Sequence, residues 1–318
     1  MVATLIDRAL DLTVLPGYTK TGYALRQRDW AEDLPALTGR TVVVTGATSG
    51  IGRAAAQRFA ALGARVVLIA RSQERGERAA AEIRAATGNS EVAVVVGDLA
   101  SLESVKAAAA TIVEREAAVD VLVNNAGVLP PARELSVDGH ELTFATNVLG
   151  MVALTEGLLP RLVATAPSRI INVSSGGMYT AKLDVDDLQA EHGDFDGAAV
   201  YAHTKRMQVI LTEQWGERLR PAGVVVHSMH PGWVATPGVE TSLPRFNKVM
   251  GPLLRDADQG ADTIVWLGAA DEPLRTTGRF WHDRRTRPTH RVPMTREREE
   301  DRTRLWDAVH RLAGTEPV

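Results

Sequence analysis

Two textures alternate along most of this chain. Short apolar runs at Thr41–Thr45, Arg65–Ala70, Val92–Val96, Val119–Val123, Arg169–Ser174 and Val224–Met229, with a seventh at Gly278–His282, read as strands. Their nearly continuous apolar character belongs to strands covered on both faces, as in a parallel sheet. Between them, the alanine-rich stretches Gly50–Leu62, Ser72–Thr87, Leu102–Ala117, Val137–Val163 and Val200–Leu219 have the length and period of covering helices. This alternation predicts an α/β fold built on a doubly wound parallel sheet of about seven strands.

No linker, repeat or low-complexity tract divides the chain, so one domain is expected over residues 39–285. It is flanked by an N-terminal extension, 1–38, and a charged C-terminal tail, 286–318. The extension reads as loop-like up to Arg40 apart from its start, where Leu5, Ala9 and Leu12 share a helical face with Ile6 and Leu10 beside them. An amphipathic helix over 3–14, packed on the domain rather than on a membrane surface, is the expectation. Arginines crowd 279–304 with acidic residues interleaved, which predicts a solvated, ion-paired tail leading to a helix that aligns Leu305, Val309 and Leu312.

Composition changes this picture mainly by exclusion. Over 318 residues the apolar content is 45%, ordinary for a protein with a real core. A formal charge of -3 with a pI near 6.3 lacks the positive field of a nucleic-acid binder. The absence of cysteine removes disulfides, thiolate catalysis and cysteine-ligated metal sites, and fits a reducing compartment, so the cytoplasm is the expected location. The start lacks the pattern of a signal peptide, and no run reaches the roughly 18 apolar residues of a membrane span. Asp184, Asp186 and Asp187 have no histidines at ligand spacing, so they read as a solvated acidic loop and no metal is expected.

Candidate chemistry begins at Thr45-Gly46-Ala47-Thr48-Ser49-Gly50-Ile51-Gly52, a glycine-rich turn that follows an apolar strand and opens a helix. In that context backbone amides and the helix N-terminus can hold a pyrophosphate. Further along, Tyr201 and Lys205 lie four residues apart on one helix face, so a lysine ammonium can stand near the phenol. A neighbouring cation favours tyrosinate, and a lowered phenol pKa is expected. Ser174 and Ser175 end the fifth strand, and strand alternation lets one of them face a substrate.

With its Thr-Gly-x-x-x-Gly-Ile-Gly spacing, Asn124-Asn125-Ala126-Gly127, Asn172-Val173-Ser174-Ser175-Gly176, Tyr201-x-x-x-Lys205 and His230-Pro231-Gly232, the chain resembles the short-chain dehydrogenase/reductase family. The resemblance implies a Rossmann-type fold and carbonyl/alcohol redox chemistry with a small-molecule substrate. Gly46, Thr48, Ser49, Gly50, Ile51 and Gly52 would cradle the dinucleotide. Asp98 and Leu99 would meet adenine, Asn125, Ala126 and Gly127 would line the cleft, and Pro231, Gly232, Val234 and Thr236 would meet the nicotinamide. Ala70 stands where NAD-preferring relatives carry an acid, and Arg71 follows, which favours NADP(H) over NAD(H).

The catalytic set implied is Ser175, Tyr201, Lys205 and Asn147: Tyr201 as acid or base, Ser175 orienting the carbonyl, Lys205 on the ribose and Asn147 holding a water that links Lys205 to solvent. The 26-residue gap from Ser175 to Tyr201 resembles the retinol-dehydrogenase-like branch. Met178, Tyr179 and Trp233 are candidate apolar walls, and 237–255 is a candidate lid. Helices near 137–163 and 200–220 commonly pair between family subunits, so a homodimer is expected unless the termini replace that contact. Two other readings stand beside this one: a nucleotide-sugar epimerase or dehydratase, and a non-catalytic NADP-sensing or scaffold protein.

Overall fold

The computed structural model describes residues 7, 10, 11, 13–30, 34–236, 248 and 250–318. Its strands are β1 (Thr41–Thr45), β2 (Arg65–Ala70), β3 (Val92–Val96), β4 (Val121–Asn124), β5 (Ser168–Val173), β6 (Val224–Met229), β7 (Arg279–His282) and β8 (Arg285–Arg287). They form one eight-stranded sheet in the order β3-β2-β1-β4-β5-β6-β7-β8. Strands β1 to β7 run parallel, and β8 returns antiparallel to β7. The winding reverses between β1 and β4, and a crevice outside the strand ends at such a point is where doubly wound sheets bind ligands.

The helices are α1 (Val14–Tyr18), α2 (Lys20–Gln27), α3 (Gly50–Ala61), α4 (Gln73–Thr87), α5 (Leu102–Arg115), α6 (Leu142–Ala164), α7 (Gly197–Leu219), α8 (Ala257–Ala269) and α9 (Glu299–Ala313). Side chains alternate across each strand. Val43, Val67, Leu122 and Ile170 therefore join the layer made with α5, α6, α7 and α9, whereas Val42, Val66, Val123 and Ile171 join the layer made with α3, α4 and α8. Helix α6 is long and apolar enough to cross a membrane, but most of it is buried against α5 and α9, as suits a core helix.

Several expectations need correction. The stretch read as loop contains α1 and α2, while the helix expected over 3–14 lies mostly outside the described residues. Helix α8 was not anticipated; it is started by a capping box between Asp256 and Gln259 and packs on α3. Nor was β8, reached through a two-residue turn in which Asp283 and Arg284 take φ of 51° and 54°. Such a hairpin turn usually uses glycine or asparagine, which is why the sequence concealed it.

The C-terminal tail is ion-paired as expected, with exposed local pairs such as Arg298 with Asp301, but it is solvated only in part. Leu305, Trp306, Val309 and Ala313 enter the core, and Trp306 packs edge-on against Trp215 at 5.8 Å. Its arginines pair with acids far away in sequence: Arg287 with Asp7 at 2.6 Å, Arg291 with Asp11 at 2.9 Å and Arg302 with Glu213 at 2.7 Å. Interleaved charges looked self-sufficient because local order says nothing about partners 89 or 280 residues away. Helix α9 packs on α6 and α7, the helices implied to pair between subunits.

Candidate active site

The glycine turn is built for close backbone approach. Gly46 and Gly50 take φ of 63° and 53°, and Gly52 packs so closely that a Cβ would lie 2.3 Å from Asn125 Nδ2 and 2.4 Å from the Gly46 carbonyl oxygen. Asn125 straps the turn by donating from Nδ2 to the Thr45 oxygen at 2.9 Å, while Thr45 Oγ1 accepts from the amides of Asn125 and Ala126, each at 2.9 Å. Thr48 and Ile51 fill the rest of the turn and first helical positions. Ser49 caps α3 without a side-chain hydrogen bond, which leaves the first amides of that helix available to an anion. These features fit a pyrophosphate. A Cβ on Gly50 would lie 3.4 Å from Thr236 Cγ2, so the turn after β6 lies close to the glycine turn.

Around the adenine end the residues are placed less uniformly. Arg71 stands exposed just past β2, and no hydrogen bond or ion pair holds it among the described residues. Asp98 is half-buried and its Oδ1 accepts from the Ala100 amide at 3.0 Å, an Asx turn that shapes the loop after β3. Leu99 is buried against Gly150, where a Cβ would meet the Leu99 oxygen at 2.2 Å.

The catalytic candidates converge at the ends of β4 and β5. Asn147 lies in a π-helical turn, Ala145–Leu149, within α6, a widening of the helix that often marks functional positions. Its Oδ1 accepts from the Val128 amide at 2.9 Å and its Nδ2 donates to Thr204 Oγ1 at 3.1 Å. Ser174 points away and donates to the Lys205 carbonyl at 2.8 Å, while Ser175 Oγ accepts from the Gly177 amide at 3.2 Å and acts on the Tyr201 phenol, holding its pKa down. Strand alternation thus separates the two serines as expected. Lys205 Nζ sits 5.3 Å from the Tyr201 ring centroid and donates to the Val173 oxygen at 2.8 Å and to Gln208 Oε1 at 3.1 Å. Gly127 lies against it, and a Cβ there would come within 3.4 Å of Nζ.

The electrostatics differ from the expectation. Burial pushes the Tyr201 phenol up to about 12, with the Ser175 hydrogen bond working against the rise. Burial also pulls Lys205 down to about 7. The argument from charge alone omitted desolvation, which disfavours the charged form of each group and is the largest cause of both shifts.

A wall that sequence reasoning missed closes the far side. The Tyr18 ring stacks edge-on with His230 at 4.4 Å and Trp233 at 5.8 Å, and it would lie 2.8 Å from a Cβ on Gly176, next to Ser175. The Tyr18 carbonyl accepts from the Trp233 amide at 2.8 Å. Arg255 donates to the Pro231 oxygen at 3.1 Å and to both oxygens of Asp283 at 2.6 and 2.8 Å, and Gly232, at φ 81°, has no room for a Cβ beside that guanidinium. Arg26 donates to Asp283 Oδ2 and Asp7 Oδ1, each at 2.7 Å. Val234 forms a parallel bridge with Arg255. One buried carboxylate thus ties α2 to the expected nicotinamide turn.

Two expected walls are not surfaces. Met178 and Tyr179 are buried with Val209 and Phe280, and the Tyr179 hydroxyl donates to the Pro288 oxygen at 2.7 Å. Most of the candidate lid, 237–247 and 249, lies outside the described residues. Among the described residues no cluster of His, Asp and Glu has metal-ligating geometry.

Comparison with known proteins decides the family. The family model described as short chain dehydrogenase matches residues 40–245. The chain belongs to the short-chain dehydrogenase/reductase family. Human dehydrogenase/reductase SDR family member 12 is 43% identical over 94% of each chain, and human retinol dehydrogenase 13 is 35% identical over 88% of this chain and 86% of that one. This short-chain dehydrogenase/reductase is thus retinol-dehydrogenase-like. Among solved structures, a 3-ketoacyl-(acyl-carrier-protein) reductase from Brucella melitensis complexed with NADH has a TM-score of 0.62 and 26% identity, covering 77% of this chain and 96% of its own. RhlG of Pseudomonas aeruginosa in an active-site complex with NADP has a TM-score of 0.63 and 25% identity, covering 77% and 94%. Family membership makes the chain an oxidoreductase of CH-OH or C=O groups that uses a nicotinamide cofactor and a small-molecule substrate.

Proposed function

We propose that this protein moves hydride between NADP(H) and an apolar carbonyl or alcohol compound through Ser175, Tyr201, Lys205 and Asn147. The carrying observation is the Lys205 ammonium 5.3 Å from the Tyr201 ring, with Ser175 on the far side of the strand end from Ser174 and acting on the same phenol. When bound, the nucleotide supplies or accepts the hydride. Ser175 and Tyr201 hold the carbonyl oxygen, and Tyr201 gives it a proton as the oxygen gains charge. A phenol near 12 stays protonated at neutral pH, as a donor must, and a lysine near 7 is acidic enough to return the proton. Asn147 fixes the π-helical turn beside Lys205.

Arg71 supports NADP(H): an exposed guanidinium after a neutral Ala70 suits a 2'-phosphate. Retinol dehydrogenases among the relatives, and Trp233 beside Ser175 across Tyr18, support an apolar substrate. The test is nucleotide titration with NADPH and NADH, followed by a screen of aldehydes and ketones alongside Tyr201→Phe. The variant should lose at least about 100-fold in turnover. Equal turnover by Tyr201→Phe removes the acid role, and tighter NADH binding removes the NADP assignment.

A further inference from the structure

Gln208 lies on α7 nearly one turn beyond Lys205 and is 1% exposed. A buried amide must place both its polar atoms, and those of Gln208 go to two members of the proposed tetrad. Oε1 accepts from Lys205 Nζ at 3.1 Å, and Nε2 donates to the main-chain oxygen of Asn147 at 2.7 Å. Chemistry fixes which end is which, because a carbonyl oxygen can only accept and an ammonium can only donate. The Val173 oxygen takes a second Lys205 proton at 2.8 Å, so neutral acceptors set two of the three directions of the ammonium. Gly127 crowds the same space. No ionised side chain shapes the charge state of Lys205; burial alone lowers its pKa.

Family resemblance implies a water between Asn147 and Lys205. Here a side chain joins those two ends. We propose, resting on the tetrad reading above, that Gln208 is a positioning residue of the relay. Its amide takes the place of the bridging water, holding Lys205 between Val173 and Asn147 so that the remaining N-H faces the Tyr201 side. A water can pass a proton along by exchanging donors and acceptors; a primary amide holds its hydrogens, so the bridge fixes position without conducting.

The experiment compares wild type, Gln208→Leu, Gln208→Ala and Tyr201→Phe with NADPH and a carbonyl compound the enzyme reduces. Leucine keeps the volume but removes both bonds, and kcat should fall about tenfold or more while KM and NADPH affinity stay within about twofold. Alanine opens a polar-lined space of more than about 30 Å³, enough for a water that restores the bridge, so much of that loss should return. An unchanged Gln208→Leu enzyme, or equal losses in both variants, overturns the proposal.

A second readout does not depend on turnover. The chain has five lysines, Lys20, Lys106, Lys182, Lys205 and Lys248, so the Lys205 signal can be assigned by NMR from its loss in Lys205→Met. Its titration midpoint should fall in Gln208→Leu, because the ammonium loses an acceptor; a midpoint equal to wild type overturns the proposal. If no carbonyl compound is reduced by wild type, the tetrad reading fails, while this titration still decides whether Gln208 holds Lys205.

Discussion

Two of the sites that bury cations among the described residues treat them in opposite ways. Lys205, 2% exposed, is surrounded by neutral acceptors, and burial lowers its pKa to about 7. Arg255 and Arg26, 1% and 4% exposed, converge on Asp283. Burial alone would raise the Asp283 carboxyl, but His282 and the two guanidiniums pull it far below the usual carboxylate range. A cation buried without a counter-charge becomes a group that titrates near neutrality; one buried with it becomes a fixed strut. The first arrangement suits proton transfer and the second holds a turn in place.

The contrast gives substitutions opposite signs. Lys205→Met should cut turnover by about 100- to 10,000-fold. Differential scanning at pH 6 should nevertheless show a gain of about 1 to 3 kcal/mol, because a buried charge is replaced by a hydrophobe of similar length. A loss of stability in that variant would mean that Lys205 is a strut after all. Asp283→Asn should lose about 3 to 5 kcal/mol in denaturant unfolding, since two buried guanidiniums are left without their carboxylate. If it is as stable as wild type, the cluster does not hold the N-terminal helices.

Acidity separates the two sites more gently. The folded state depresses the Lys205 pKa to about 7 from 10.5, so between those values the unfolded chain binds the extra proton and wild-type stability should rise with pH. That rise should be missing from Lys205→Met in melts across the same range. Asp283, with its pKa depressed on folding, contributes stability above the unfolded carboxylate value near about 3.9, and that contribution should fade as the pH drops below it. The smallest effect is expected at the exposed Arg71: Arg71→Ala should change stability by less than about 0.5 kcal/mol while weakening NADPH more than NADH, measured by nucleotide titration.

The sheet was legible because its signals are local. The runs at β1, β2, β3 and β6 end where the strands end, since each is a short, mostly buried stretch rich in valine and bounded by turn residues. The positions matching family motifs at Gly46, Asn147, Ser175, Tyr201 and Lys205 lie around the same sheet edge because each belongs to a short motif at a strand end or facing helix. Tyr18, Arg255 and Asp283 were not legible: their partners lie up to 257 residues apart, and no spacing rule connects them. Gln208 was hidden differently, as one polar residue on a helix that is buried nearly all around. The tail was legible only in part: pairs such as Arg298 with Asp301 follow charge order along the chain, whereas the partners of Arg287 and Arg291 lie 280 residues away.

Helix α9 has a consequence for how the protein behaves at low concentration. It lays Trp306 and His310 over Trp215 and Glu156, on the helices that the family resemblance implied as a contact between subunits. A cover supplied by a separate copy comes off on dilution; this one is tethered to the surface it shields and stays at fixed local concentration. Sedimentation and activity measured down to nanomolar protein should therefore show no loss of integrity on that side of the molecule.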